Sequence, residues 1–198
     1  MTSERIAAFS DGVFAIIITI MVLELKVPHG ADLAAIAPLL PVFLTYVLSF
    51  IVVGIYWNNH HHMFFLTDRI NGGTLWANLH LLFWLSLMPF VTGWMGENHF
   101  ATLPTALYGF VLLCAGVAYY ILELTIISSQ GATSKLEAAV GADRKGLISV
   151  ALYAVAVVLA FVNQWISDAI YALVALMWLI PDRRIESFFE EIEGKGVR

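Results

Sequence analysis

Charge is what this sequence has least of. Only 13% of its 198 residues are Asp, Glu, Lys or Arg, while 60% are hydrophobic; a soluble domain carries roughly 25% charged residues. Most of the helices such a chain could form would have no polar face to turn toward water, which excludes an ordinary soluble enzyme. Cysteine is almost absent. The one copy, Cys114, lies inside an apolar run, so there is no disulfide framework, CxxC pair or thiolate zinc site, and the residue reads as packing. No basic patch exists to hold nucleic acid. Motifs are missing too: there is no TVGYG-like filter, since Tyr108-Gly109-Phe110 sits within a plain apolar stretch, and no arginine at every third position as in a voltage sensor. No P-loop, GxSxG or HExxH is present either, so a classical potassium channel, a pump and an intramembrane protease all lose support. The N-terminal stretch has no small-residue cleavage site after it and reads as a first membrane span rather than a removable signal peptide.

What is there is a series of long apolar segments, at about 5–25, 40–66, 74–95, 103–127, 146–162 and 166–180. Each can cross a bilayer as a helix of around 20 residues, or slightly fewer where its ends snorkel. The last two are short, and Asn163-Gln164-Trp165 between them predicts a tight interfacial hairpin; a re-entrant pair is the alternative. Pro89 is expected to kink the third segment or end its regular part. The reading is an all-α membrane protein with six transmembrane helices per subunit: residues 1–182 form the membrane domain, and residues 183–198 a cytoplasmic tail. In that tail Ile185, Phe188, Phe189 and Ile192 could form one face of an amphipathic helix.

The basic residues set the orientation. With the N-terminus inside, Arg5, Arg69, Lys135, Arg144, Lys145, Arg183, Arg184, Lys195 and Arg198 all fall on the inner side, and Lys26 alone falls outside. Such asymmetry predicts cytoplasmic N- and C-termini and an even number of spans.

Asp11, well inside the first segment, is the most informative residue. An ionised aspartate at the centre of a spanning helix costs about 2.5–3.5 kcal/mol on insertion scales, so it must face protein or water. Ser10 and Asp11 could lock helices together by hydrogen bonds, or Asp11 could contact a transported ion. Arg5 is six residues away, on another face, and is not expected to pair with it. At about 100° per residue, Gly12, Ile16, Thr19 and Leu23 share a stripe, with Ile20 on its margin. That stripe could be helix packing or a pore lining. The run His60-His61-His62 invites a metal reading, but adjacent helical residues diverge and the i, i+3 or i, i+4 pairs of a shared site are lacking; hydrogen bonds to other helices, Asp11 among the partners, fit better. Asn78 in the third segment is a natural interhelical hydrogen bonder, and Glu123 in the fourth has no evident partner.

Arg5-x-x-x-Phe9-Ser10-Asp11 at the start of a first span resembles the hallmark of the transmembrane protein 175 family. Trp57 with His60-His61, Asn78, and Pro89-Phe90-x-Thr92 extend the likeness through the first half of the chain. The resemblance implies a potassium-selective channel without the usual filter, in which the first helix of each six-helix repeat lines a central pore. One copy of the motif implies the single-repeat bacterial type: a homotetramer in the bacterial plasma (inner) membrane, with the lipid bilayer and potassium as its partners and no cofactor beyond the permeant ion. Carried over by distance from the motif, Ile16, Thr19 and Leu23 would line the pore, with Ile20 beside them and Ile16 as an apolar gate. The resemblance also places Ser10 and Asp11 in a hydrogen-bonded cluster whose partners here would be His61, Trp76 and Asn78, although His62 departs from the family pattern. Readings from other classes are a proton-coupled secondary transporter using Asp11, Glu123 and the histidines, a metal-dependent membrane enzyme using His60 to His62, and a non-transporting helix scaffold.

Overall fold

A computed structural model describes residues 3–67, 70–131, 134–141 and 143–179. The tail at 183–198, with its expected amphipathic helix, lies outside the described residues, as do Arg69, Arg183, Arg184, Lys195 and Arg198 from the orientation argument. The described chain is all helical: α1 (Ser3–Leu23), α2 (Leu33–Ile36), a 3-10 turn (Ala37–Leu39), α3 (Leu40–Phe65), α4 (Gly72–Ser86), α5 (Met88–Glu97), α6 (Thr102–Gln130), α7 (Lys135–Val140), α8 (Arg144–Leu159) and α9 (Gln164–Leu179).

Four stretches, Ser3–Leu23, Leu33–Phe65, Gly72–Glu97 and Thr102–Gln130, are long and apolar enough to cross a membrane. The helices α8 and α9 have 16 residues each, or about 24 Å at 1.5 Å per residue, short of a ~30 Å hydrocarbon core. They form an antiparallel hairpin joined near its turn by Ser167 Oγ donating to the Ala156 carbonyl at 2.7 Å, and near its open end by Trp178 Nε1 donating to Ser149 Oγ at 2.8 Å. The third apolar segment breaks at Leu87 between α4 and α5. Pro89 explains the break, because its ring nitrogen has no proton to offer the carbonyl of Leu85 and its ring crowds that turn. Two short helices were not foreseen. Both carry local signals: the Asp32 side chain caps α2 by accepting from Ala35 N, and Ser134 caps α7 by accepting from Glu137 N, the latter within an S-x-x-E pattern that marks a helix start.

The long helix α6 is the spine, with α4, α5, α8 and α9 packed around it, while α3 bridges α1, α5 and α9. Its buried face brings Tyr108, Leu112, Ala115, Ala118, Leu122 and Ile126 into the core. Polar links hold the spine in register. Thr92 Oγ1 on α5 donates to Ser49 Oγ on α3 at 2.7 Å, Ser49 meets the Tyr108 hydroxyl at 3.0 Å, and the Tyr171 hydroxyl on α9 donates to the Thr105 carbonyl at 3.2 Å. Such bonds average about 0.6 kcal/mol in a membrane, so they select a register more than they supply stability. At the end of the bundle away from the start of α1, exposed Lys26 pairs with Glu97, whose carboxylate accepts its hydrogen bond and lifts the ammonium's pKa, and Phe100 packs on Trp165 with ring centres 5.4 Å apart.

Gly109 shows how close α6 and α9 lie. A Cβ added there would sit 1.9 Å from the Tyr171 hydroxyl oxygen and 2.6 Å from its ring, and Tyr171 is fully buried, so it has nowhere to go. Gly109→Ala should therefore destabilise the protein by about 1–3 kcal/mol, the range for overpacking, read as an earlier midpoint in heat-induced loss of monodisperse protein. Adding Tyr171→Phe, which removes the nearest atom, should recover part of that loss; no recovery would show that the α6–α9 approach is not as drawn.

Candidate pore helix and its anchoring cluster

The helix α1 sits at the edge of the bundle. Among the described residues it packs mainly on α3, α4 and α5, and its sequence divides between two sides. Ile6, Ser10, Phe14, Ile17 and Met21 recur at steps of three and four and are buried. Opposite them Phe9, Gly12, Ile16, Thr19, Ile20 and Leu23 are exposed, with Ile16 at 58% and Leu23 at 78%. The stripe isolated from periodicity is thus the exposed side of α1 among the described residues of the single chain. Thr19 adds a chemical feature. Its Oγ1 reaches the carbonyls of Ala15 at 2.9 Å and Ile16 at 3.0 Å, which commits the hydroxyl proton to the helix backbone. What remains for any outside partner is an oxygen lone pair, suited to a cation.

The buried side of α1 is pinned at its polar end. Asn78 Nδ2 on α4 donates to Ser10 Oγ at 3.0 Å, and Asn78 Oδ1 lies 2.8 Å from His60 Nε2 on α3. Because that amide oxygen can only accept, His60 must carry its proton on Nε2, which makes Nδ1 an acceptor; Nδ1 is buried without a hydrogen-bond partner among the described residues. The imidazole stacks on Phe64 at 4.5 Å and meets the edge of Phe14 at 5.5 Å. Three helices, α1, α3 and α4, are thereby joined through one amide.

Asp11 takes a separate partner. Its Oδ1 accepts from Trp57 Nε1 at 2.9 Å, and the carboxylate is half-buried. Arg5 is exposed in the first turn of α1, and among the described residues no salt bridge joins it to Asp11. The composition of the cluster therefore corrects the expectation in two places. His61 is exposed, its ring beside Trp57 at 6.3 Å, and His60 holds the cluster instead. Trp76 is 75% exposed, and Trp57 supplies the indole proton instead. The reason is helical phase. Trp57 and His60 follow at a step of three and both meet α1, at Asp11 and Phe14, while His61 turns away by about 100°; Trp76 is two residues from Asn78 and so points about 200° from it. The buried residues Thr74, Ala77, Asn78, Leu81, Leu82 and Leu85 mark the true inner face of α4, a pattern that the apolar spacing around Asn78 already contained. Among the described residues no group of three or more His, Cys, Asp or Glu side chains could hold a metal ion.

Known proteins share this layout. The family profile described as "Endosomal/lysosomal potassium channel TMEM175" matches residues 5–89, the stretch that holds α1, α3, α4 and every member of the Ser10 and Asp11 clusters. A protein named as a potassium channel in Chryseobacterium sp. (strain P1-3) is 55% identical over 191 residues, covering 96% of this chain and 100% of that protein. Another named as a potassium channel, from Chamaesiphon minutus, is 30% identical over 193 residues, covering 89% of this chain and 93% of its own length. Among solved structures, one titled as a lysosomal potassium-selective channel TMEM175 homolog from Chamaesiphon minutus superposes with a TM-score of 0.80 at 28% identity, covering 90% of this chain and 96% of the other. With its length matched almost end to end by such relatives, this membrane protein belongs to the TMEM175 family.

Proposed function

We propose that the protein is a passive, potassium-preferring channel made by four copies assembled around α1. The observation that carries this reading is the free side of α1: an exposed line of Gly12, Ile16, Thr19, Ile20 and Leu23 on a helix whose other side is fixed by Phe14, Ile17, Met21 and the Ser10–Asn78–His60 bonds. A fourfold arrangement of that line would put the apolar ring of Ile16 at the narrowest point and the Thr19 oxygens next to it along the axis. Because the Thr19 protons are engaged by the backbone, four lone pairs would meet a partly dehydrated cation, and potassium sheds its water more readily than sodium. In this arrangement six helices cross the bilayer, the α8–α9 hairpin included, with Arg144 and Lys145 at the inner surface and Trp165 at the outer interface. Both termini then lie in the cytoplasm, and the membrane is the bacterial plasma membrane. Asp11, held by Trp57, has a structural part in this arrangement rather than a conducting one.

The test is ion flux from liposomes holding the purified full-length protein, with a protonophore as the charge-balancing path. Potassium efflux well above sodium efflux, absent from protein-free vesicles, is the expected result. Equal flux of the two ions would remove the assignment of Thr19 as a selective ligand. Saturable flux driven by a pH gradient would support instead a proton-coupled secondary transporter that uses intramembrane Asp, His and Glu residues.

A further inference from the structure

A second site lies away from α1. Between α3, α6, α8 and α9, at the end of the bundle where α8 begins, is a cavity of about 50 Å³. Its walls are aromatic: Tyr56, Tyr119, Tyr120, Tyr153 and Trp178 line it, and Asp143 stands at its rim. The rings of Tyr56 and Tyr119 meet edge to face at 6.0 Å. We propose that this cavity binds the head of a small alkylammonium cation, presented by a free amine or by an ethanolamine-type lipid head group. The assignment is independent of the channel reading, since α1 contributes nothing to the cavity.

The first argument is the carboxylate. Asp143 caps α8, its Oδ1 accepting from Gly146 N at 2.8 Å, while Oδ2 is buried and has no hydrogen-bond partner among the described residues. A carboxylate oxygen shut off from water calls for a cation or a donor. Gly146 makes the placement possible, because a Cβ there would sit 1.9 Å from that same Oδ2. The second argument is the wall. Tyrosine and tryptophan faces attract a cation by their quadrupoles, most strongly when desolvated, and Tyr56, Tyr119, Tyr120 and Tyr153, which line the cavity, each carry a hydroxyl oxygen. An ammonium has three protons to give such oxygens. The chain already shows the chemistry at one wall, where the Lys145 ammonium lies 4.8 Å from the centre of the Trp178 ring. The third argument is size. One water needs about 10–15 Å³ on this measure, so the cavity holds roughly three to five such bodies, enough for ethylammonium and too little for a bulky amine.

Calorimetric titration of the purified full chain with ethylammonium chloride, at ionic strength held constant with sodium chloride, tests the site. Saturable binding is expected in nanodiscs of phosphatidylglycerol. Asp143→Asn should weaken it at least tenfold, and since asparagine caps a helix as well as aspartate, α8 should stay intact, with an unchanged helical circular dichroism spectrum. Loss of ethylammonium binding in nanodiscs that contain phosphatidylethanolamine would identify the lipid head group as occupant; equal binding in both lipids would identify a free amine. No saturable binding in phosphatidylglycerol, full affinity in Asp143→Asn, or displacement by an equal concentration of potassium would overturn the assignment.

Discussion

Replacing Ile16 by asparagine is expected to raise potassium flux from proteoliposomes by roughly tenfold or more, which corresponds to at least ~1.4 kcal/mol off the barrier to permeation. The argument starts from the exposure of Ile16, 58% in the single chain, on the side of α1 that no other helix among the described residues covers. If four such side chains face one another, the gap between them is lined only by methyl and methylene groups, and a column of water there is unstable; the constriction closes by drying and not by a mechanical plug. Asparagine has nearly the same length but offers a carbonyl and an amide, so water and a hydrated ion can remain. The same change on a side facing lipid should do nothing of the kind. Leu173, 62% exposed on α9, is the control: Leu173→Asn should leave flux at the wild-type value per folded protein. Equal leak from both variants would mean that asparagine merely loosens the bundle, and flux unchanged in Ile16→Asn would remove Ile16 from the gate.

How much of this could be read from the sequence depends on which physical quantity the residues encode locally. The spans were legible because lipid forces each crossing helix to be apolar over most of its length; the ends of α1, α3 and α6 fall within a few residues of the segments drawn from hydrophobicity alone. The break beside Pro89 was legible for the same local reason. Ser10, Asp11 and Asn78 also announced themselves, because a polar group in a spanning helix must find a partner. Which partner it finds was harder to read. Whether Asp11 meets Trp57 or Trp76 depends on the rotation of α3 and α4 about their own axes, and one polar residue does not set that rotation. The spacing of the buried residues around it does, and that is where His60 and Trp57 could have been preferred to His61 and Trp76. The aromatic cavity had no signature at all. Its lining comes from four helices spread between Val52 and Trp178, and nothing in the spacing of tyrosines along α6 says that α8 and α9 will face them across a gap.

The anchoring cluster gives the other large effect. Asn78→Leu should sharply reduce the yield and heat stability of folded protein, because it removes one amide that serves two helices. The Ser10 hydroxyl can turn to a backbone carbonyl of its own helix, as Thr19 does, so its loss is small. His60 has no such escape. It is fully buried, its Nδ1 is already unpartnered, and without Asn78 its Nε2 proton would be orphaned too, a penalty of about 1–3 kcal/mol. That asymmetry makes the prediction specific. Removing both partners, as in Asn78→Leu with His60→Phe, should restore much of the lost stability, because a phenyl ring can keep the stacking on Phe64 and the edge contact with Phe14 while presenting nothing that needs a hydrogen bond. The measurement is the midpoint of thermal loss of monodisperse protein for wild type, each single variant and the pair. If the double variant is as unstable as the sum of the singles, the bond between His60 and Asn78 is not what holds α3 to α4. Recovery in the double variant would place the cluster's contribution to stability in matching polar groups across helices.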